Sequence, residues 1–118
     1  MQNKIKIVIA DDNPNVRESL RDILNEKGYS IEVVNDGFEL LSFLKRSPAD
    51  LIILDLMMPQ KDGVETLFSI KTLWPKIKVI IYTGFKRYEN SICAYTADKF
   101  LLKGGSFEEL LKAIKELS

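Results

Sequence analysis

Residues 51–59 read Leu-Ile-Ile-Leu-Asp-Leu-Met-Met-Pro. Leu51–Leu54 is apolar at every position rather than at alternate ones. A strand of that kind is covered on both faces, the condition of a parallel sheet packed between helices. The flanking sequence should then alternate strands with helices, and it does. Upstream, Ile5–Ala10 and Ser30–Val34 are strand-like runs. Between them Val16, Leu20, Ile23 and Leu24 recur at helical spacing, with Asn13-Pro14 as a start signal and Gly28 as a stop. Phe38, Leu40, Leu41 and Leu44 mark a second helix that ends before Pro48.

Downstream, Met58-Pro59 and Asp62-Gly63 punctuate a loop. Val64, Leu67, Phe68 and Ile70 then mark a helix ending by Trp74-Pro75, and Val79–Tyr82 is a strand. Tyr88–Thr96 reads as a weak helix, because Asn90, Ser91, Ile92, Cys93, Tyr95 and Thr96 are poorer helix formers; about two turns are expected. Lys99–Leu102 is the fifth strand, and Phe107, Leu110, Leu111 and Ile114 mark the last helix. The pattern predicts an α/β fold: one five-stranded parallel sheet with helices on both faces.

Ligands of such sheets bind at the carboxyl ends of the strands. That edge collects Asp11 and Asp12 after the first strand, Asp55 after the third, Thr83 after the fourth and Lys103 after the fifth. Each alone has a plainer reading. The acids suit a helix cap or a loop start, the threonine a structural hydroxyl, the lysine a solvent-directed ammonium. Their shared placement favours a functional reading. Clustered carboxylates repel unless a cation sits among them. Magnesium, a hard cation, takes carboxylate and carbonyl oxygens at about 2.0–2.1 Å and retains open positions for phosphoryl oxygens. A carboxylate beside it can act as an in-line nucleophile on phosphorus, with Lys103 and Thr83 receiving the remaining phosphoryl oxygens.

Composition narrows the field. The 118 residues contain no histidine, which excludes imidazole catalysis and imidazole metal ligation. Cys93 is the single cysteine, so no internal disulfide or zinc-type cluster forms; a small buried thiol and a reducing, cytoplasmic setting are expected. Lys plus Arg and Asp plus Glu both number 17, so net charge gives no argument for direct nucleic-acid or membrane binding. No apolar run is long enough to span a bilayer. No glycine-rich phosphate loop follows the first strand, which disfavours nucleotide binding.

The elements Ile-Ala-Asp11-Asp12, Leu-Asp55-Leu-Met-Met-Pro59 with Asp62-Gly63, Tyr-Thr83-Gly84 and Phe100-Leu-Leu-Lys103 together resemble the receiver domains of bacterial response regulators, chemotaxis-regulator-like, across residues 1–118. The resemblance implies a flavodoxin-like sheet of strand order 2-1-3-4-5. It implies that Asp55 accepts a phosphoryl group from a sensor histidine kinase or a histidine phosphotransfer protein. Asp12, Asp11, Asp55 and the backbone carbonyl of Met57 would hold Mg²⁺; Thr83 and Lys103 would hold the phosphoryl group. Gly84 would leave the acceptor accessible, and Thr83 with Phe100 would switch the 84–103 face. Partners implied are a downstream output domain or target protein, and a homodimer through helix 4, strand 5 and helix 5. The side chains of Met57 and Phe85 would flank the path of the attacking water.

Two features depart from the family pattern. Gly104 stands where proline usually follows the lysine, so a trans Lys103–Gly104 peptide is expected. The stretch from Thr83 to Lys103 is also a little shorter than the family habit. Tyr88 and Tyr95, with Lys86, Arg87 and Lys99, suggest an aromatic, basic partner face. Other functions remain open at this point: a binding module that signals without phosphorylation, an aspartate-nucleophile phosphatase, or a flavin binder. The intact acidic set argues against the first, Met57 in place of a second catalytic aspartate against the second, and the acidic Asp11-Asp12 loop against the third.

Overall fold

A computed structural model describes residues 4–57, 63–104 and 106–118. Met58, Pro59 and Asp62, read above as loop residues, lie outside them. The strands are β1 (Lys6–Ala10), β2 (Ser30–Val34), β3 (Leu51–Leu54), β4 (Lys78–Thr83) and β5 (Lys99–Leu102). The helices are α1 (Pro14–Glu26), α2 (Gly37–Arg46), α3 (Gly63–Leu73), α4 (Ile92–Thr96) and α5 (Glu108–Leu117). The strands form one sheet in the order β2-β1-β3-β4-β5, every pair parallel.

The period of two along each strand divides the apolar residues between two cores. Ile7, Ile9, Leu51, Ile53, Ile80 and Tyr82 face α1 and α5, against Leu20, Leu24, Leu110 and Ile114. Val8, Ala10, Ile52, Leu54, Val79 and Ile81 face α2, α3 and α4, against Leu40, Leu44, Leu67, Ile70 and Cys93. β3 is apolar at every position because both of these surfaces are covered. The Cys93 thiol is buried, as expected. Among the described residues no helix is long and apolar enough to cross a membrane.

Local chemistry sets the helix ends. The Asn13 side chain accepts from the Asn15 and Val16 amides, and Pro14 opens α1. Asp36 caps α2 by accepting from the Glu39 amide at 2.9 Å. Gly28 leaves α1 with φ +95°, a conformation that favours glycine.

The segment after β4 differs from its expectation. In place of one two-turn helix over Tyr88–Thr96 there is a single 3-10 turn at Lys86–Tyr88, then the five-residue α4. Ser91 interrupts them: its hydroxyl donates to the Tyr88 carbonyl at 2.6 Å, a local bond that competes with helix continuation. Ile92 and Tyr95 on this short helix are 69% and 80% exposed, so little apolar burial supports it.

Asp98 fastens this segment to the sheet. Its Oδ2 accepts from Lys71 Nζ and from the Val79 amide, both at 2.7 Å, and its own amide donates to the Val79 carbonyl at 2.9 Å. Burial pushes the carboxyl group up, but the bonds from Lys71 and Val79 outweigh it and hold the pKa below its ordinary 3.8. A carboxyl lowered in the folded state contributes stability above the unfolded pKa and loses it as pH falls through the folded value. Asp98→Asn should therefore cost about 1–3 kcal/mol at neutral pH. In urea denaturation its deficit against the wild type should close as the pH is lowered below about 4.

Candidate functional site

β1 and β3 are neighbours, with Ala10 opposite Leu54, so the residues that follow them emerge side by side. Asp11 and Asp55 are those residues. Both are buried, 3% and 6% exposed, whereas Asp12 is exposed. The Asp55 amide donates to the Ala10 carbonyl at 3.0 Å, which ties the ends of the two strands together. Asp11 Oδ1 accepts from the Asn13 amide at 2.9 Å, and Asp55 Oδ1 from the Met57 amide at 3.1 Å. Oxygens of Asp11, Asp12 and Asp55 lie within 4.8 Å of one another.

Lys103 enters from β5. Its backbone amide donates to the Thr83 carbonyl at 2.8 Å. Its Nζ lies 2.7 Å from Asp11 Oδ2 and 2.9 Å from Asp55 Oδ2. Burial pushes the ammonium pKa down, but hydrogen bonds to both aspartates outweigh burial and keep it raised. At Asp11 burial prevails instead, and it raises the carboxyl pKa despite the Lys103 bond and the Asn13 amide. One ammonium thus leaves the three carboxylates under-compensated. A hard divalent cation fits this donor set, which is all oxygen, anionic and open on the side of exposed Asp12.

The structure brings four expected residues together: Asp11, Asp12, Asp55 and Lys103. Thr83 ends β4 beside them, fully buried, with its Oγ1 accepting from the Phe85 amide at 3.4 Å, outside the ion-paired group. Phe100 stands on β5 opposite Ile81, half-buried against the α2–α3–α4 core. The Met57 side chain is exposed at the rim, with its sulfur 3.4 Å from the Tyr88 hydroxyl. Tyr88 also packs on the core, whereas Tyr95 is exposed. Gly84 is exposed, and nothing lies within 4 Å of where its Cβ would stand. The Lys103–Gly104 peptide is trans, and Gly104 turns the chain with φ +111°.

Two positioning contacts escape a reading of the sequence. Arg17 donates to the Asp11 carbonyl at 3.0 Å and to Asn35 Oδ1 at 2.6 Å, bracing the β1–α1 loop from a helical position that looks merely polar. Gly63 reads as loop punctuation, yet its missing side chain makes room for the acceptor's own backbone. A Cβ there would lie 2.5 Å from Leu56 Cα and 2.8 Å from the Asp55 carbonyl oxygen. The Asp-Gly pair was the available signal. Gly63→Ala should cost about 1–3 kcal/mol by overpacking and displace Asp55. Gly84→Ala, which meets open space, should cost far less; urea denaturation of the two variants checks this.

Comparison with known proteins agrees with this geometry. The family model described as the response regulator receiver domain matches residues 7–115. Response regulator MprA of Mycobacterium leprae is 35% identical over 115 residues, covering 96% of this chain and 50% of that protein. The chain spans about half the length of the curated relatives it matches. The response regulator TrrA of Thermotoga maritima, solved in complex with Mg²⁺-BeF, is 33% identical with a TM-score of 0.92, over 97% of this chain and 99% of that one. TrrA solved in complex with histidine kinase ThkA gives a TM-score of 0.89 at 34% identity, over 96% of this chain and 97% of that one. A five-stranded parallel sheet in the order 2-1-3-4-5, an acidic cluster at its carboxyl edge and a family match over nearly the whole chain lead to one conclusion: this chain belongs to the response regulator receiver domain family.

Proposed function

We propose that residues 1–118 act as one receiver unit in which Asp55 accepts a phosphoryl group, with Mg²⁺, from a phosphohistidine of a sensor histidine kinase or histidine phosphotransfer protein. The observation that carries this reading is the Lys103 ammonium shared between Asp11 and Asp55, with Asp12 alongside. The TrrA structures with Mg²⁺-BeF and with a histidine kinase support it by similarity.

Asp55 is the nucleophile: a carboxylate oxygen forms the new bond to phosphorus while the bond to the donor breaks. Asp11, Asp12, Asp55 and the Met57 carbonyl would hold the metal. When bound, magnesium supplies positive charge that screens the carboxylates from the incoming phosphoryl oxygens. Lys103 moves from a purely carboxylate partnership to one shared with a phosphoryl oxygen, and the Thr83 hydroxyl donates to another. Thr83 then vacates space beside β5, Phe100 turns inward, and the 84–103 face changes shape. That face would present the signal to a downstream output domain or target protein, or pair two copies through α4, β5 and α5. The longer relatives, twice this span, fit an output domain. The lone buried thiol suits a cytoplasmic protein.

Acetyl phosphate with magnesium should add one phosphoryl group by intact mass, and both Asp55→Asn and chelation of the metal should abolish it. A wild type that remains unmodified would instead make the chain a phosphorylation-independent interaction module.

The phosphoryl group should also be long-lived. Met57 and Phe85 are apolar, 39% and 41% exposed, so they neither orient a water nor accept its proton. Combining Met57→Asn with Phe85→Glu should speed loss of the phosphoryl group by about tenfold or more, read as the decay of the mass adduct after the donor is removed. Equal decay of the two proteins would refute this account.

A further inference from the structure

The 3-10 turn after β4 carries a cation that the chemistry above does not use. The Arg87 guanidinium rests against two rings, 5.2 Å from the Phe85 centroid and 5.1 Å from that of Tyr88. Its Nη2 lies 3.4 Å from the Tyr88 hydroxyl and 3.8 Å from Met57 Sδ. Among the described residues it has no carboxylate partner, unlike Arg21, Lys71, Lys99 and Lys103. Met57 in turn is bonded through its amide to Asp55 Oδ1. A planar, permanently charged donor is thus held by aromatic faces beside the Met57 side chain, without an anion of its own among the described residues.

Charge balance indicates what it waits for. Asp11, Asp12, Asp55 and Lys103 leave the pocket net negative. With a divalent cation in place, converting Asp55 to an acyl phosphate leaves it about one charge negative again. Arg87, in contact with the side chain of Met57 two residues past Asp55, is a cation that can offset that charge, and its flat fork of donors matches phosphoryl oxygens. Stacking on Phe85 and Tyr88 reduces the ordering cost of holding a long side chain at the site.

We propose that Arg87, a guanidinium stacked on Phe85 and Tyr88 beside the Met57 sulfur, binds the phosphoryl group of the incoming phosphodonor and positions it over Asp55. The proposal rests on the phosphoacceptor reading. With acetyl phosphate as donor, an Asp55 oxygen bonds to phosphorus, the bond from phosphorus to the acetate oxygen breaks, and acetate departs with the electron pair. Arg87 stays charged throughout and contributes hydrogen bonds to the non-bridging oxygens.

The test is the rate of phosphorylation against acetyl phosphate concentration, with saturating magnesium, for wild type, Arg87→Gln, Arg87→Lys and Lys86→Gln. Arg87→Gln should lower the second-order rate about 5- to 20-fold, the range for one charge-assisted contact at a partly open site, mainly through weaker donor binding. Arg87→Lys should recover part of the loss. Lys86→Gln, on the same exposed turn, should stay within about twofold. The wild-type rate should fall more steeply with added salt than that of Arg87→Gln, a difference that loss of packing alone would not produce. A rate for Arg87→Gln within twofold of wild type, or equal salt dependence of the two, overturns the proposal and leaves Asp55 as acceptor. A wild type that takes no phosphoryl group overturns both.

Discussion

Lys103 holds two buried carboxylates that would otherwise repel, and the geometry of the whole edge depends on that contact. Its Nζ lies within 3 Å of both Asp11 and Asp55, although β5 stands two strands from β3 and three from β1. Strands are about 4.8 Å apart, so only a long side chain leaning back over the end of β4 can reach. Thr83, which ends β4, is short and leaves that path open. Removing the ammonium would strand two desolvated charges, and breaking a buried pair in this way costs about 3–5 kcal/mol. The cation is needed for the fold to hold its carboxylates in place before any phosphoryl group arrives.

Much of this was legible beforehand, and the reasons are local. The unbroken apolar run Leu51–Leu54 meant a strand covered twice, and the two cores cover it twice. Placement of Asp11, Asp12, Asp55 and Lys103 at strand ends followed from the general rule for parallel sheets, and the structure brings those four together. Strand order was different: periodicity is silent on it, and the expectation rested on family resemblance. Gly63 and Arg17 were missed because their roles are contacts with the backbone of neighbouring loops, which leave no periodic trace. The segment 86–96 was expected to be weak, yet the break at Ser91 depends on a single hydroxyl bond that propensity does not specify.

That break gives the molecule two different regimes around one site. α1, α2, α3 and α5 are ten or more residues long and bury apolar stripes in the two cores. The segment after β4 instead relies on a few side chains: Cys93 and Ala97 in the core, Tyr88 and Arg87 at the Met57 sulfur, and the Asp98 clasp at its far end. Rigid elements hold the carboxylates while a lightly anchored one borders them. This arrangement allows a change of charge at Asp55 to be felt outside the core without repacking it.

The alternation of strand residues between two compartments has a genetic consequence. In β3, Leu51 and Ile53 feed one core while Ile52 and Leu54 feed the other, and Asp55 follows at once. Deleting or inserting one codon here would not trim the strand by a fraction. It would exchange the occupants of the two compartments and move the carboxylate by a whole residue relative to Asp11. Packing and chemistry are therefore written in one reading frame within five consecutive codons, and length changes in this family should be confined to the loops at either side.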